Sequence, residues 1–221
     1  MDLYITTGIS ASGKSKFAKA LVDKFDLVEL NADNLRLEMY NDINDQTHNK
    51  EIFKKIDELL NKNLKTKSVI LSNTNLNLNK IIDLANKHKN EKIYLEIMTD
   101  SNNLKLCKLR LKNDLKNGVI RSKVPDFILN KQFEKFKKFM LELETKELPK
   151  NITIHYVNSN FEQREGKQWN MIGKMFGKMC GKISMVQRFG KLLLNICIAK
   201  EVKRSMLILT LCKKHLTTQM E

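Results

Sequence analysis

Apolar residues in the first 160 positions follow two alternating patterns. Short runs rich in Ile, Leu and Val predict buried strands at 3–7, 27–31, 68–72, 92–99 and 152–157. Longer segments with apolar residues three or four positions apart predict helices at 15–24, 33–40, 48–64, 77–89, 102–116 and 125–144. Strands that alternate with helices in this way predict an α/β domain, with a parallel sheet covered by helices on both faces. Ligands of such sheets bind beyond the carboxyl ends of the strands.

The helix predicted at 125–144 has an apolar stripe. Its members stand at near-helical spacing, with lysines between them: Phe127, Ile128, Phe133, Phe136, Met140 and Leu143. A stripe of this kind is typical of the core-facing side of a helix. We interpret it as core rather than as part of a cofactor site.

The turn after the first predicted strand contains a glycine-rich motif. Residues 8–15, the phosphate loop, read GISASGKS and match the pattern G-x-x-x-x-G-K-[ST] between a strand and a helix. Gly8 and Gly13 let the backbone curl so that successive N–H groups face a phosphate. Lys14 then reaches the β/γ oxygens, and Ser15 supplies a Mg²⁺ ligand. The motif predicts a nucleoside triphosphate site formed by Gly8, Ser10, Ala11, Ser12, Gly13, Lys14, Ser15 and Lys16.

The second predicted strand is followed by the run NADNLR, residues 31–36. A carboxylate at this edge of the sheet, such as Asp33, can face the γ-phosphate and accept a proton from an attacking hydroxyl. Arg36, one helical turn later, can bind an acceptor phosphate from the same side. The alternative is that Asp33 only N-caps the helix that follows. The chain has no N-K-x-D run and no apolar strand ending in paired acids, which argues against a GTPase and a motor ATPase.

These segments, together with VILSNTNLN at 69–77 and the Val124-Pro125 step after a basic helix, resemble the kinase domain of phage-type polynucleotide 5′-kinases. The resemblance covers about residues 1–150. It implies a P-loop kinase fold and transfer of the γ-phosphate of ATP, with Mg²⁺, to the 5′-hydroxyl end of DNA or RNA. It implies that Lys14 and Ser15 hold phosphate and metal, that Asp33 is the general base and that Arg36 contacts the acceptor. The acceptor side would also include Asn73, Thr74 and Asn75.

Two features depart from that family. The position of Asn73 is typically Asp in relatives, so one acidic member of the site is replaced by an uncharged amide. The family also carries an arginine on the lid segment between the basic helix and the Val-Pro step, where it stabilises charge on the transferred phosphoryl group. The candidates here are Arg110, Lys112 and Arg121, and we favour Arg110 or Arg121 because a guanidinium binds phosphate as a fork.

The formal net charge of +15 favours a polyanionic partner such as nucleic acid. The four cysteines form no C-x-x-C pair, so a reducing, cytoplasmic setting is expected. We expect no signal peptide ahead of the phosphate loop and no membrane span. The D-x-D-G-T phosphatase and K-x-D-G ligase motifs are absent, so end healing or sealing would require separate partner proteins.

Residues 161–221 differ sharply in composition from residues 1–160. They contain two of the 23 Asn, none of the 11 Asp and five of the eight Gly. One interpretation is a basic amphipathic tail, disordered or helical, that binds nucleic acid or a membrane surface. The other, which we favour, is a segment translated out of frame from about Gly166, since a one-nucleotide shift yields an acidic, aromatic sequence. The gene sequence at Gly166 distinguishes them.

Two other functions remain open at this point. A P-loop kinase of a small metabolite or nucleoside would use the phosphate loop and Asp33 but not Arg36 or the basic surface. A nucleic-acid-binding module with a degenerate phosphate loop would be consistent with Asn73 and with the unusual tail.

Overall fold

The computed structural model describes residues 1–158 and, for its backbone alone, a strand at 163–165. The strands are β1 (Asp2–Thr7), β2 (Val28–Leu30), β3 (Val69–Leu71), β4 (Lys92–Met98), β5 (Ile152–Val157) and β6 (Gln163–Glu165). The helices are α1 (Lys14–Phe25), α2 (Ala32–Tyr40), α3 (Asn49–Asn63), α4 (Leu78–Lys87), α5 (Leu104–Lys116) and α6 (Asp126–Thr145). Each predicted strand and helix is present, with ends that differ by a few residues.

The strands form one sheet in the order β2-β3-β1-β4-β5-β6. The first five are parallel, which confirms the predicted sheet, and β6 pairs with β5 in the antiparallel sense. The sequence did not predict β6, which lies just beyond the domain boundary proposed at residue 160. The central position of β1 places the phosphate loop at the middle of the carboxyl edge of the sheet.

Side chains on both faces of the sheet are buried. On one face, Phe17, Ala18 and Leu21 of α1 pack with sheet residues that include Ile70, Met98 and Val157. On the other, Leu3, Val69 and Ile93 occupy matched register positions and are 0% exposed. Burial on both faces explains why the strands read as nearly continuous apolar runs.

The stripe predicted on α6 is core only in part. Phe136, Met140 and Leu143 are buried, and so are two residues outside the prediction, Leu129 and Phe139. Phe127 is 59% exposed, so placing it in the core was wrong. It lies in the first turn of α6, where Lys131 covers its ring at 5.6 Å from the ring centroid.

The tail predicted at 161–221 lies outside the described residues except for the backbone of β6. Its composition therefore remains the only basis for either interpretation. Among the helices that are described, none is long and apolar enough to cross a membrane.

Candidate active site

The phosphate loop requires glycine at two positions for two different reasons. Gly13, which precedes α1, has a φ of 98°, a conformation that side chains with a Cβ rarely adopt. A Cβ on Gly8 would lie 2.7 Å from Ser12 Oγ and 3.0 Å from both terminal side-chain atoms of Asn102. No side chain caps the N-terminus of α1. The first N–H groups of this helix thus provide the kind of site that binds phosphate.

Side chains from distant elements hold the phosphate loop in this shape. Asn102, after β4, accepts a hydrogen bond from the Ile9 N–H at 2.8 Å, and its own amide donates to the Met98 carbonyl at 2.5 Å. Gln132, on α6, accepts from the Ser10 N–H at 2.8 Å. These contacts fix the backbone of the first half of the loop, at Ile9 and Ser10.

Lys14 is buried inside the loop, where its Nζ donates to the Ile9 carbonyl at 2.6 Å. The pKa of Lys14 is lowered from 10.5 to about 8, mainly by burial; the Arg121 charge also lowers it, while Cys107 and Asp33 act in the opposite direction. Within residues 1–158, Lys14 forms no ion pair with a carboxylate. A buried cation without a paired anion suits an anionic ligand.

Asp33 lies in the first turn of α2, directly beyond β2. Its Oδ1 accepts from Arg36 NH1 at 2.6 Å, and its Oδ2 accepts from Ser122 Oγ at 2.8 Å. The helix cap is Asn31, whose side chain accepts from the N–H groups of Asp33 and Asn34. The alternative that Asp33 is the N-cap was therefore wrong, and its carboxylate binds Arg36 and Ser122 instead.

Arg36 is almost completely buried despite its charge. NH1 bonds Asp33 and NH2 donates to Asn49 Oδ1 of α3 at 2.7 Å, whereas Nε is buried without a partner among the described residues. A guanidinium that holds the carboxylate and keeps one donor unused beside it is suited to an anionic group of an acceptor.

The two arginines proposed for the lid segment have different positions. Arg110, on α5, donates to the Ala11 carbonyl at 3.0 Å and so supports the phosphate loop. Arg121 lies in the lid segment itself, residues 117–125, where it pairs with Asp114 and its Nε is buried without a described partner. Its positive charge contributes to the lowered pKa of Lys14. Lys112 is exposed.

The residues after β3 form hydrogen bonds to the elements that surround them. Asn73 Oδ1 accepts from the Ala32 N–H at 2.9 Å, and the Thr74 carbonyl accepts from the Gly8 N–H at 3.1 Å. The Asn75 amide donates to the carbonyls of Thr6 and Leu71 at 2.9 and 3.2 Å. All three lie at the predicted edge. The hydrogen bond from the Ala32 N–H requires an acceptor oxygen at position 73 but no charge. Asn73 can therefore make this hydrogen bond as an Asp would.

Three residues of the site were not predicted: Asn102, Gln132 and Ser122. Asn102 follows a buried strand as Asn31 does, so the rule that led to Asp33 could have found it. Nothing in the sequence distinguishes Gln132 from the other polar residues of α6, or Ser122 within the lid segment. Ser15 and Lys16, predicted at the nucleotide, are exposed in the first turn of α1.

The family is decided by a sequence comparison. A family model described as AAA domain matches residues 3–139. The chain belongs to this AAA domain family. No curated protein matches the sequence.

Solved structures share the fold. A chain from the Pnkp1/Rnl/Hen1 RNA repair complex aligns with a TM-score of 0.54 and 19% identity, over 67% of this chain and 47% of that one. A chain of the PezAT chromosomal toxin–antitoxin system of Streptococcus pneumoniae aligns with a TM-score of 0.55 and 16% identity, over 88% and 86%. This chain thus spans about half the length of its RNA repair counterpart. The likeness shows the fold alone, which is of the P-loop kinase-like type.

The residues present fit a nucleoside triphosphate. A Cβ at Gly8 would meet Ser12 and Asn102, and Lys14 is a buried cation that no described carboxylate pairs. Both residues belong to the loop at the N-terminus of α1, where the helix dipole also favours negative charge.

Proposed function

We propose that this chain is an ATP-dependent kinase of polynucleotide 5′-hydroxyl ends. The observation that carries the proposal is the Asp33 carboxylate at the carboxyl edge of the sheet. One of its oxygens is held by Arg36 and the other is hydrogen-bonded to a hydroxyl. That is the arrangement required of a general base that orients an attacking alcohol.

The proposal gives each side chain of the site a role. When bound, ATP supplies the transferable γ-phosphoryl group, with Mg²⁺ held in part by Ser15. Lys14 and the N–H groups at the start of α1 neutralise and orient the phosphates. Asp33 accepts the proton of the 5′-hydroxyl, and Arg36 binds a phosphate next to the reacting nucleotide. Arg121 is the lid arginine, whereas Arg110 maintains the phosphate loop through Ala11.

The charge distribution supports a nucleic acid as acceptor. Residues 104–123, covering α5 and most of the lid segment, contain seven Lys or Arg and one Asp. The net charge of this stretch is +6, against +7 for all of residues 1–160 (28 Lys or Arg minus 21 Asp or Glu). Positive charge is thus concentrated next to the lid segment, where the strand behind a 5′ end could pass. Each phosphate neutralised there adds a salt-sensitive increment of affinity.

A transfer assay with several acceptors tests the proposal. The chain is incubated with γ-labelled ATP, Mg²⁺ and, in separate reactions, 5′-hydroxyl oligonucleotides, nucleosides and small alcohols. We expect label on oligonucleotides of DNA, RNA or both. Label on nucleosides or metabolites alone would support a small-molecule kinase instead, and oligonucleotide binding without transfer would support a binding module. Oligonucleotides carrying a 5′-phosphate are the matched control, because they lack the acceptor hydroxyl.

Partners and setting belong to the same proposal. A kinase that prepares 5′ ends would act with proteins that repair the 3′ end and seal the strand. A cytoplasmic location is consistent with the single described cysteine, Cys107, which is unpaired and buried. The fold also occurs in an RNA repair complex, but a shared fold does not select the acceptor.

A further inference from the structure

The lid segment presents a hydroxyl of this chain to the proposed general base. Ser122 Oγ donates to Asp33 Oδ2 at 2.8 Å, a contact between positions 89 residues apart in the sequence. The other oxygen of Asp33 is already held by Arg36. Ser122 therefore uses the one carboxylate oxygen that an acceptor hydroxyl would need.

The two neighbours of Ser122 fix the lid segment in this position. Arg121 pairs with Asp114, and the Lys123 N–H donates to Asn44 Oδ1 at 2.7 Å. Three consecutive residues are thus bound to three different parts of the domain. The contact of Ser122 is part of an ordered attachment rather than an isolated side-chain hydrogen bond.

Ser122 is one residue away from the arginine proposed for the lid. Arg121 next to it acts electrostatically on Lys14 in the phosphate loop, while Ser122 itself contacts Asp33. In the proposed reaction the acceptor hydroxyl is hydrogen-bonded to Asp33, and Ser122 Oγ already makes that hydrogen bond.

We propose that Ser122 is a self-phosphorylation site, modified by the γ-phosphoryl group of ATP with Asp33 as the base. This rests on the proposed kinase function. Ser122 Oγ forms a bond to the γ-phosphorus while the bond from that phosphorus to the β,γ-bridging oxygen breaks, and its electron pair leaves with ADP. The hydroxyl proton passes to Asp33 and then to water. The products are phosphoserine at position 122, ADP and a proton, without any change of oxidation state.

Phosphopeptide mapping of the full chain tests this inference. The protein is incubated with γ-labelled ATP and Mg²⁺ without acceptor, and the modified residue is located by tandem mass spectrometry. We expect phosphate at Ser122, reduced at least tenfold in Ser122→Ala and in Asp33→Asn. Thr66→Ala is the matched control, because Thr66 is exposed in the turn before β3, at the opposite edge of the sheet, and should leave the yield unchanged. Ser122→Thr keeps the hydroxyl and should retain modification.

The transfer should be intramolecular. Its first-order rate should stay constant when the protein is diluted a hundredfold, and a rate that falls in proportion to concentration would overturn the proposed geometry. Modification of other residues only would overturn it as well.

A second measurement needs no nucleotide. The Lys123 amide is hydrogen-bonded to Asn44, so its hydrogen exchange reports whether the lid segment is attached. Loss of the hydroxyl–carboxylate contact in Ser122→Ala should speed exchange about tenfold to hundredfold, as expected for one hydrogen bond to a charged group. Unchanged exchange would show that Ser122 does not hold the lid segment on Asp33, and the inference would fail.

A parallel assay with a 5′-hydroxyl oligonucleotide separates this inference from the proposed function. Label on the oligonucleotide without label on Ser122 overturns the inference alone. Label on Ser122 without label on any oligonucleotide supports the inference and overturns the acceptor class. Label on neither overturns both.

Discussion

The phosphate loop and the Asp33 region face the same edge of the sheet, but different kinds of contact hold them. The loop is fixed by Asn102, Gln132 and Arg110, which lie 93, 122 and 99 residues away from their partners. Asp33 is held mainly by local contacts, to Arg36 three residues on and through the cap at Asn31. Lys14 is 7% exposed, whereas the side chain of Asp33 is 39% exposed.

This difference matches the tasks proposed for the two regions. Every turnover presents the same triphosphate to the loop, so a rigid, buried cradle is an advantage there. Acceptors differ in sequence and length, so the acceptor side remains accessible and its remaining long-range contact comes from the lid segment through Ser122. Substitutions in the loop should therefore disturb nucleotide binding, and substitutions around Asp33 should disturb transfer.

The largest effect is expected for Asp33→Asn. The amide keeps the size of the side chain but cannot accept the proton, so kcat should fall by about 10²–10⁴-fold. The affinity for ATP, measured by calorimetry, should change little because Asp33 contacts no residue of the phosphate loop. A variant with nearly normal kcat would remove Asp33 from the mechanism and with it the functional contrast between the two regions.

Gly8→Ala tests the loop by steric means. The new Cβ would meet Ser12 Oγ at 2.7 Å and the Asn102 side chain at 3.0 Å, and Asn102 is fixed by two hydrogen bonds. Relief of the clash displaces the loop. If the overpacking cost of about 1–3 kcal/mol falls on the nucleotide site, ATP affinity should fall roughly 5- to 150-fold.

Gly118→Ala is the control for this substitution. Gly118 has a φ of 64°, but apart from its chain neighbours no described residue has an atom within 4 Å of its Cβ position. It should lower stability by about 1 kcal/mol through backbone strain and leave ATP affinity unchanged. Equal loss of affinity in both variants would show that the tight approach at Gly8 is not what shapes the nucleotide site.

Arg36→Ala should reduce kcat/KM more for acceptors with a phosphate beside the reacting nucleotide than for nucleosides. Removing the guanidinium releases Asp33 for every acceptor, but only acceptors with a phosphate beside the reacting nucleotide also lose a direct contact. We expect their kcat/KM to fall about tenfold further than that of a nucleoside, as for one charge-assisted contact. Asn49→Ala is the control, because it removes only the NH2 partner of Arg36 and keeps the bond to Asp33. Equal losses for both acceptors would contradict the role given to Arg36.

The sequence predicted the fold and the phosphate loop because their signals are local. Buried parallel strands read as apolar runs, and the loop motif occupies eight consecutive residues. The edge of the sheet where Asp33, Asn73 and Asn102 lie follows from the same rule, since polar residues come directly after β2, β3 and β4. The contact between Gln132 and Ser10 could not be predicted, because it depends on how α6 crosses the sheet.

The structure excludes one alternative and one core assignment made from the sequence. Asn31 and Asp33 are both good N-caps, and the structure uses Asn31 because β2 ends at Leu30 and α2 begins at Ala32. Phe127 was assigned to the core because it fits the period of α6, but the first turn of that helix is at the surface. Periodicity identifies the buried face of a helix and does not show how far that face is covered.

The smallest effect concerns the stability of the protein without nucleotide. Burial lowers the pKa of Lys14 to about 8. Below that pH the folded protein contains a buried positive charge, which lowers its free energy of unfolding. Between about pH 8 and 10.5 the unfolded chain binds more protons than the folded one, and the free energy of unfolding attributable to Lys14 therefore rises with pH. Relative to Lys14→Met, the wild type should gain about 1 kcal/mol between pH 7 and pH 9.

Urea denaturation of both proteins at the two pH values measures this gain. The comparison between variants cancels all other titrating groups. Lys16→Met, in the same turn of α1 but exposed, is the control and should keep a constant difference from the wild type. If the difference between wild type and Lys14→Met were also constant, the Lys14 ammonium would not be desolvated in the free protein. The loop would then be as open to water as the Asp33 region, and the structural contrast between the two regions would not hold.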